Sequence, residues 1–395
     1  MNNSEIKITP IFLLNSIFFT LLTLNSILFV LRIYDQSWWI ADYMSYYDVD
    51  FALHLKAFLF FILYLSIYYF LCLIFVTNIK TNHFERKNLR PVFIFVLIFF
   101  AIQIFMALYM GVGVAGGVGE APLISYIVLL FSFDAFFYAY VLKEKNKNRV
   151  LFSTLMFVIS NIVRGWAGFI IFLPIIYFLR RGSFRLKYIL ASIVSFVFII
   201  PVLMVVRDYF RGGYSVFNFL VDEGLSGREL YLNYLVEAYK LLLSRFDFYS
   251  NYIGVYRVYN DSVGNLMCMP IQENIFYKVY QIVASPIECK PLGGILPGEL
   301  YTFFIGKGTS YSIVSGFFAL PINKGLGYFI SYFFILILTL LLSSKFLVRK
   351  EYISLYLILV FMLLFQGWMY QYVYNFLGFI FGVLATKFVF GRKYS

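Results

Sequence analysis

The chain has 395 residues, of which 62% are hydrophobic, 22% aromatic and 13% charged, with a formal net charge of +12 and a mean hydropathy of +0.83. Soluble domains carry roughly a quarter charged and about half apolar residues, so a soluble enzyme, a disulfide-rich secreted domain, a disordered chain and a fibrous repeat are excluded. The basic residues fall in short clusters between apolar runs and form no aromatic-interleaved groove. That excludes nucleic acid as the partner and reads as the positive-inside pattern of a polytopic membrane protein.

A hydrocarbon core of about 30 Å takes about 20 apolar residues in a helix. Taken in chain order, the apolar runs are 10–31, 57–77, 91–110, 122–142, 150–163, 165–179, 188–206, 325–344, 352–367 and 373–390. The first follows a single Lys7, so no cleavable signal peptide is expected. Compact basic loops separate the runs: Lys80, Arg86, Lys87 and Arg90; Lys143, Lys145, Lys147 and Arg149; Arg180, Arg181, Arg185 and Lys187; Lys345, Arg349 and Lys350. Short loops set orientation, so both termini are expected to be cytoplasmic and the long segment 207–324 to face outward. The expected fold is an all-α polytopic membrane protein of about ten transmembrane helices. About seven lie in 1–206 and about three in 325–395, flanking one large, partly helical outward domain at 207–324.

Cys72 falls inside the second run, as a small apolar core residue does. Five glycines in 111–119 mark a loop or a close-packing turn. Asp134 is the clearest ionisable residue within a run and stands isolated in sequence.

Arg164, in Ser160-Asn161-Ile162-Val163-Arg164-Gly165-Trp166-Ala167-Gly168, parts two short runs. These are about 14 and 15 residues, or about 21–23 Å, and fall short of the hydrocarbon thickness. The hairpin tip is therefore expected at or below the outer headgroups, where an Arg is expensive. Gly165 is expected to open the next helix, aiming free N–H groups at the same spot. The pair describes an anion site at lipid-phosphate depth; the alternative is an Arg snorkelling to ordinary phospholipid.

Arg207 and Arg211 follow the seventh run at a spacing of four and could fork onto a diphosphate or anchor the interface. Ser226-Gly227-Arg228-Glu229 is a capping box. It opens an amphipathic pattern to about Tyr249, with Leu230, Tyr234, Leu235, Ala238, Leu241, Leu242 and Phe246 near a helical period. Near its end, Arg245 could reach a phosphate and Asp247 could serve as a carboxylate partner or general base; a solvated helix end is the plainer alternative.

Cys268 and Cys289 could close a disulfide if the outward side is oxidising, or stand as free thiols. A short helix is expected over 274–285 and a turn-rich loop over 291–297. Lys307 lacks a P-loop setting. With only His54 and His83 and no Cys pair at ligand spacing, neither a metal nor a cofactor is expected. Aromatic residues crowd the outer loops, among them Trp38, Trp39, Tyr46, Trp368 and Tyr370. They suit an interfacial belt and would equally suit sugar stacking.

The chain resembles Wzy-type O-antigen polymerases, the oligosaccharide repeat unit polymerases of bacterial inner membranes. The resemblance rests on the many spans and one large late loop. Its short cues are Ser160 to Arg164-Gly165, Arg245-Phe246-Asp247, and Thr309-Ser310 through Lys324-Gly325-Leu326-Gly327. The Arg-to-Gly spacing described for periplasmic loops of that family does not occur after Arg164, Arg207, Arg211, Arg245 or Arg257.

The resemblance implies a multi-pass inner-membrane glycosyltransferase of lipopolysaccharide biosynthesis with a periplasmic large loop. Such an enzyme transfers a growing glycan from undecaprenyl diphosphate to the next undecaprenyl-diphosphate-linked repeat unit, in company with a chain-length regulator. In that chemistry Arg164, Arg207, Arg211 and Arg245 would bind the diphosphate, and Asp247, or more distantly Glu273, would be the general base. The alternatives are an O-antigen ligase and a lipid-linked oligosaccharide flippase. A ligase is expected to place a periplasmic His near the large loop. The outward His here is His54, far from that loop in sequence, which ranks the ligase second.

Overall fold

A computed structural model describes residues 6–35, 37–40, 45–48, 50–79, 81, 89–110, 132–166, 168–184, 322–365 and 369–388. It also describes 199, 228–229, 232, 235–236, 246–249 and 253 of the long intervening stretch. Among the described residues the chain is almost entirely helical: α1 (Pro10–Asp35), α2 (Phe51–Asn78), α3 (Arg90–Met110), α4 (Phe133–Lys143), α5 (Lys147–Val163), α6 (Phe169–Arg181), α7 (Ile322–Phe346), α8 (Lys350–Leu359) and α9 (Met369–Phe388). Two short antiparallel ladders complete it: β1 (Ile6–Lys7) with β4 (Ser183–Phe184), and β2 (Ser37–Ile40) with β3 (Ser45–Asp48).

Local signals set the helix ends. Pro10 takes the first position of α1, behind Thr9, whose hydroxyl accepts the Phe12 N–H at 3.1 Å. Ser132 caps α4 through the Ala135 N–H, and Asn146 caps α5 through the N–H groups of Asn148 and Arg149. At the end of α5, Gly165 adopts φ +68°. Its N–H donates to Ile162 O while the Trp166 N–H donates to Asn161 O, both at 2.9 Å. This is a Schellman motif, with glycine at the position that needs the left-handed conformation. Gly165 therefore ends α5 and does not open the following helix, which begins at Phe169.

α1 through Tyr34, α2 and α3 are each long and apolar enough to cross a membrane. Phe19, Val30, Leu31, Leu59, Phe70, Ile98 and Phe105 point outward from them and lie exposed. So much apolar exterior is stable only in an apolar solvent. The described residues make a nearly all-helical membrane protein.

The centre is built from α4 and α8, nearly every side chain of which is buried. α4 lies tightly against α9 because α9 presents Gly378 and Gly382 one turn apart. A Cβ on Gly382 would fall 2.8 Å from both Ala139 Cβ and Phe136 O, so only a bare backbone permits the approach. α8 continues into a π-helical turn, Val360–Leu364, closed by the Phe365 N–H on Val360 O at 2.8 Å. The extra residue turns Phe365 into a cluster with Tyr64 and Phe248, at centroid distances of 5.0 and 5.1 Å.

One end of the bundle is tied by basic residues: Lys143 Nζ donates to Thr386 O at 2.5 Å, and Arg180 to Glu144 O at 2.7 Å. The expected run 122–142 is helical from Phe133, its first part lying outside the described residues, as does 188–206 apart from Ile199.

Candidate functional site

At the opposite end, α1 and α2 meet the long intervening stretch. Leu21, Asn25, Leu28 and Arg32 lie on one face of α1, following the helical repeat. That face binds residues 246–249. Asn25 Nδ2 donates to Phe246 O at 2.9 Å, and Asn25 Oδ1 accepts the N–H groups of Phe248 and Tyr249 at 2.9 and 3.3 Å. Phe248, Tyr249 and Ile253 are helical, so Asn25 caps in trans two N–H groups that open a helical turn. The amphipathic pattern expected to run through to about Tyr249 is broken at Phe246–Asp247, where the chain turns onto α1.

Arg32 completes the contact. Its Nη1 donates to Asp247 Oδ1 at 2.9 Å and its Nη2 donates to Oδ2, a two-point guanidinium–carboxylate fork. The Arg32 guanidinium also lies 5.3 Å from the centre of the Tyr249 ring. The Tyr249 hydroxyl donates to Leu28 O at 3.2 Å, and its ring packs between Phe29 and Phe58. Arg32 and Asp247 are 7% and 2% exposed. Removing one member of such a pair strands a buried charge and costs about 3–5 kcal/mol.

His54, in the first turn of α2, faces the Tyr249 ring at 6.2 Å between centroids. It is 2% exposed, and among the described residues neither ring nitrogen has a hydrogen-bond partner. An unsatisfied buried polar group costs about 1–3 kcal/mol. A neutral imidazole there offers one donor and one acceptor, the complement of a hydroxyl group.

A second polar cluster joins α3, α4 and α5. Arg164 Nη2 donates to both oxygens of Asp134, at 2.9 and 3.1 Å, and its Nε donates to Ser160 O at 3.2 Å. The Ser160 hydroxyl donates to Gln103 Oε1 at 3.1 Å. Asp134, isolated in sequence, is thus the counter-ion of Arg164. The pair keeps 12% and 18% exposure.

Asp247 and Arg164 are therefore held in two different clusters. Arg207, Arg211, Arg245, Glu273, Cys268 and Cys289 lie outside the described residues. Among the described residues no group of three or more His, Cys, Asp or Glu could hold a metal ion. The sequence reading missed Asn25 and Arg32 and gave His54 no place in the site. The available signal was slight: Asn25 lies inside the apolar run 10–31 and Arg32 just past its end, seven residues on and so on the same helix face. Compared with known proteins, the chain matches no family model, no curated protein and no solved structure.

Proposed function

We propose that this protein is a polymerase of lipid-linked oligosaccharide repeat units, with ten spans, both termini cytoplasmic and 207–324 in the periplasm of a bacterial inner membrane. Its architecture and short motifs resemble those of the Wzy-type enzymes. The observation that carries the reading is the buried cluster of Arg32, His54, Asp247 and Tyr249, where Phe246 and Asp247 meet the helical bundle. Basic residues tying the opposite end support the orientation.

In the proposed reaction a sugar hydroxyl of the acceptor repeat unit gives its proton to a base, Asp247 or His54. The oxygen forms a bond to the anomeric carbon of the donor glycan. The anomeric C–O bond to the diphosphate breaks, and its electron pair leaves on undecaprenyl diphosphate. Arg164, with Arg207, Arg211 and Arg245, would offset the charge that develops on that leaving group.

An O-antigen ligase is the second reading, because it calls for a periplasmic His near the large loop and His54 faces Tyr249. Deleting the chain and running the lipopolysaccharide on a gel separates the two. A core bearing a single repeat unit without a ladder is the expected result. Loss of every repeat unit from the core would overturn the polymerase and point to the ligase or a flippase, and an unchanged ladder would overturn all three.

A further inference from the structure

We propose that Asn25 and Arg32 are positioning residues that dock the 246–249 turn onto α1, and that Asp247 is the anchor they hold and not the base. Three kinds of contact converge on these four residues from one helix face. Asn25 uses both ends of its amide on their backbone, Arg32 engages both oxygens of Asp247, and Leu28 O accepts the Tyr249 hydroxyl. Each contact needs the others in register. If the turn shifted by one residue, the Arg32 fork would face the ring of Phe246 or Phe248 in place of a carboxylate. Asp247 presents its oxygens to Arg32, whereas the imidazole nitrogens of His54 have no hydrogen-bond partner among the described residues. The docked turn sets Tyr249 against that imidazole. Anchoring and proton transfer thereby fall to different residues of one cluster.

The inference rests on the proposed transfer reaction for its activity arm only. Its physical arm is hydrogen exchange of the full-length protein in lipid nanodiscs, read on the peptide containing Phe248 and Tyr249. Asn25→Ala, Arg32→Met and Asp247→Leu should each speed exchange of that peptide by tenfold or more, while peptides of α4 and α8 stay within twofold. The double variant Arg32→Met/Asp247→Leu replaces the buried pair by apolar side chains of similar size, a change that such sites tolerate. It should return exchange to within threefold of the parent and restore the polymer ladder that each single variant loses.

Restored protection with no ladder would overturn the anchor assignment and make Asp247 chemically required. Unchanged exchange in all three single variants would overturn the docking itself. If the double variant fails to insert, Asp247→Asn decides, since it keeps the shape and both polar atoms but loses the charge. A loss of ladder with parental exchange again makes Asp247 chemically required. Faster exchange, suppressed when Arg32→Gln is added, supports the anchor. The deletion gel reports on the reaction separately, so failure of that reading leaves the exchange result standing.

Discussion

The molecule holds two Arg–Asp pairs that do different work. Arg32–Asp247 bridges residues 215 apart in sequence and is almost wholly buried. Arg164–Asp134 bridges residues 30 apart, joins α4 to α5 and keeps partial exposure on both sides. The first pair has its geometry completed by neighbours on every side: Asn25 on the backbone, Tyr249 under the guanidinium, Phe29 and Phe58 around that ring. The second leaves a partly open cation at the end of a hairpin. Complete desolvation makes a pair a structural fastener; a margin of exposure leaves charge available to a ligand.

The largest effect is expected at the fastener. Asp247→Ala should lower the stability of the purified protein by about 3–5 kcal/mol, since it leaves the Arg32 charge buried without its carboxylate. A midpoint of unfolding within a degree of the parent would break the contrast. Arg164→Ala should cost less, about 1–2 kcal/mol, because Asp134 can reach polar surroundings. It should nonetheless abolish polymerisation while the protein remains inserted, and near-normal ladders would remove Arg164 from the reaction.

Two finer measurements sharpen the comparison. A double-mutant cycle to Ala on each pair should give a larger coupling for Arg32–Asp247 than for Arg164–Asp134, beyond the error of about 0.3–0.5 kcal/mol seen for independent sites. Equal couplings would mean that exposure does not separate the pairs. The smallest effect is that of salt. At about 1 M the screening length falls to about 3 Å, so the Arg164–Asp134 coupling should weaken while that of Arg32–Asp247 holds.

Much of the helical frame was legible in the residues. α2 and α3 are helices of 28 and 21 residues; α3 starts one residue before the expected run 91–110, whereas α2 begins at Phe51, ahead of the expected start at 57, and takes in His54 and Lys56. Gly165 was legible as a punctuation mark, but its sequence position pointed to the wrong helix, the one that follows it. A glycine between two apolar runs can close one or open the next, and only the hydrogen bonds from Gly165 and Trp166 back into α5 decide. The site was less legible. Asp247 stood out beside Arg245, and Arg164 by its depth, yet Arg32 resembled an ordinary cation in the last turn of a helix. Asp134 looked isolated because its partner lies on the next helix.

By itself the sequence determined the solvent and the length of its elements, because both follow from apolar area per residue and from runs of like character that any local conformation must bury or expose. Which polar groups meet was decided only by the tertiary structure. Asn25 and Arg32 lie on one stripe of α1 whatever its surroundings, but their partners come from more than 200 positions away, and no local periodicity encodes that distance. The packing of the 246–249 turn against α1 and α2 turns an amide, a guanidinium and an imidazole, each costly alone in an apolar interior, into one buried cluster.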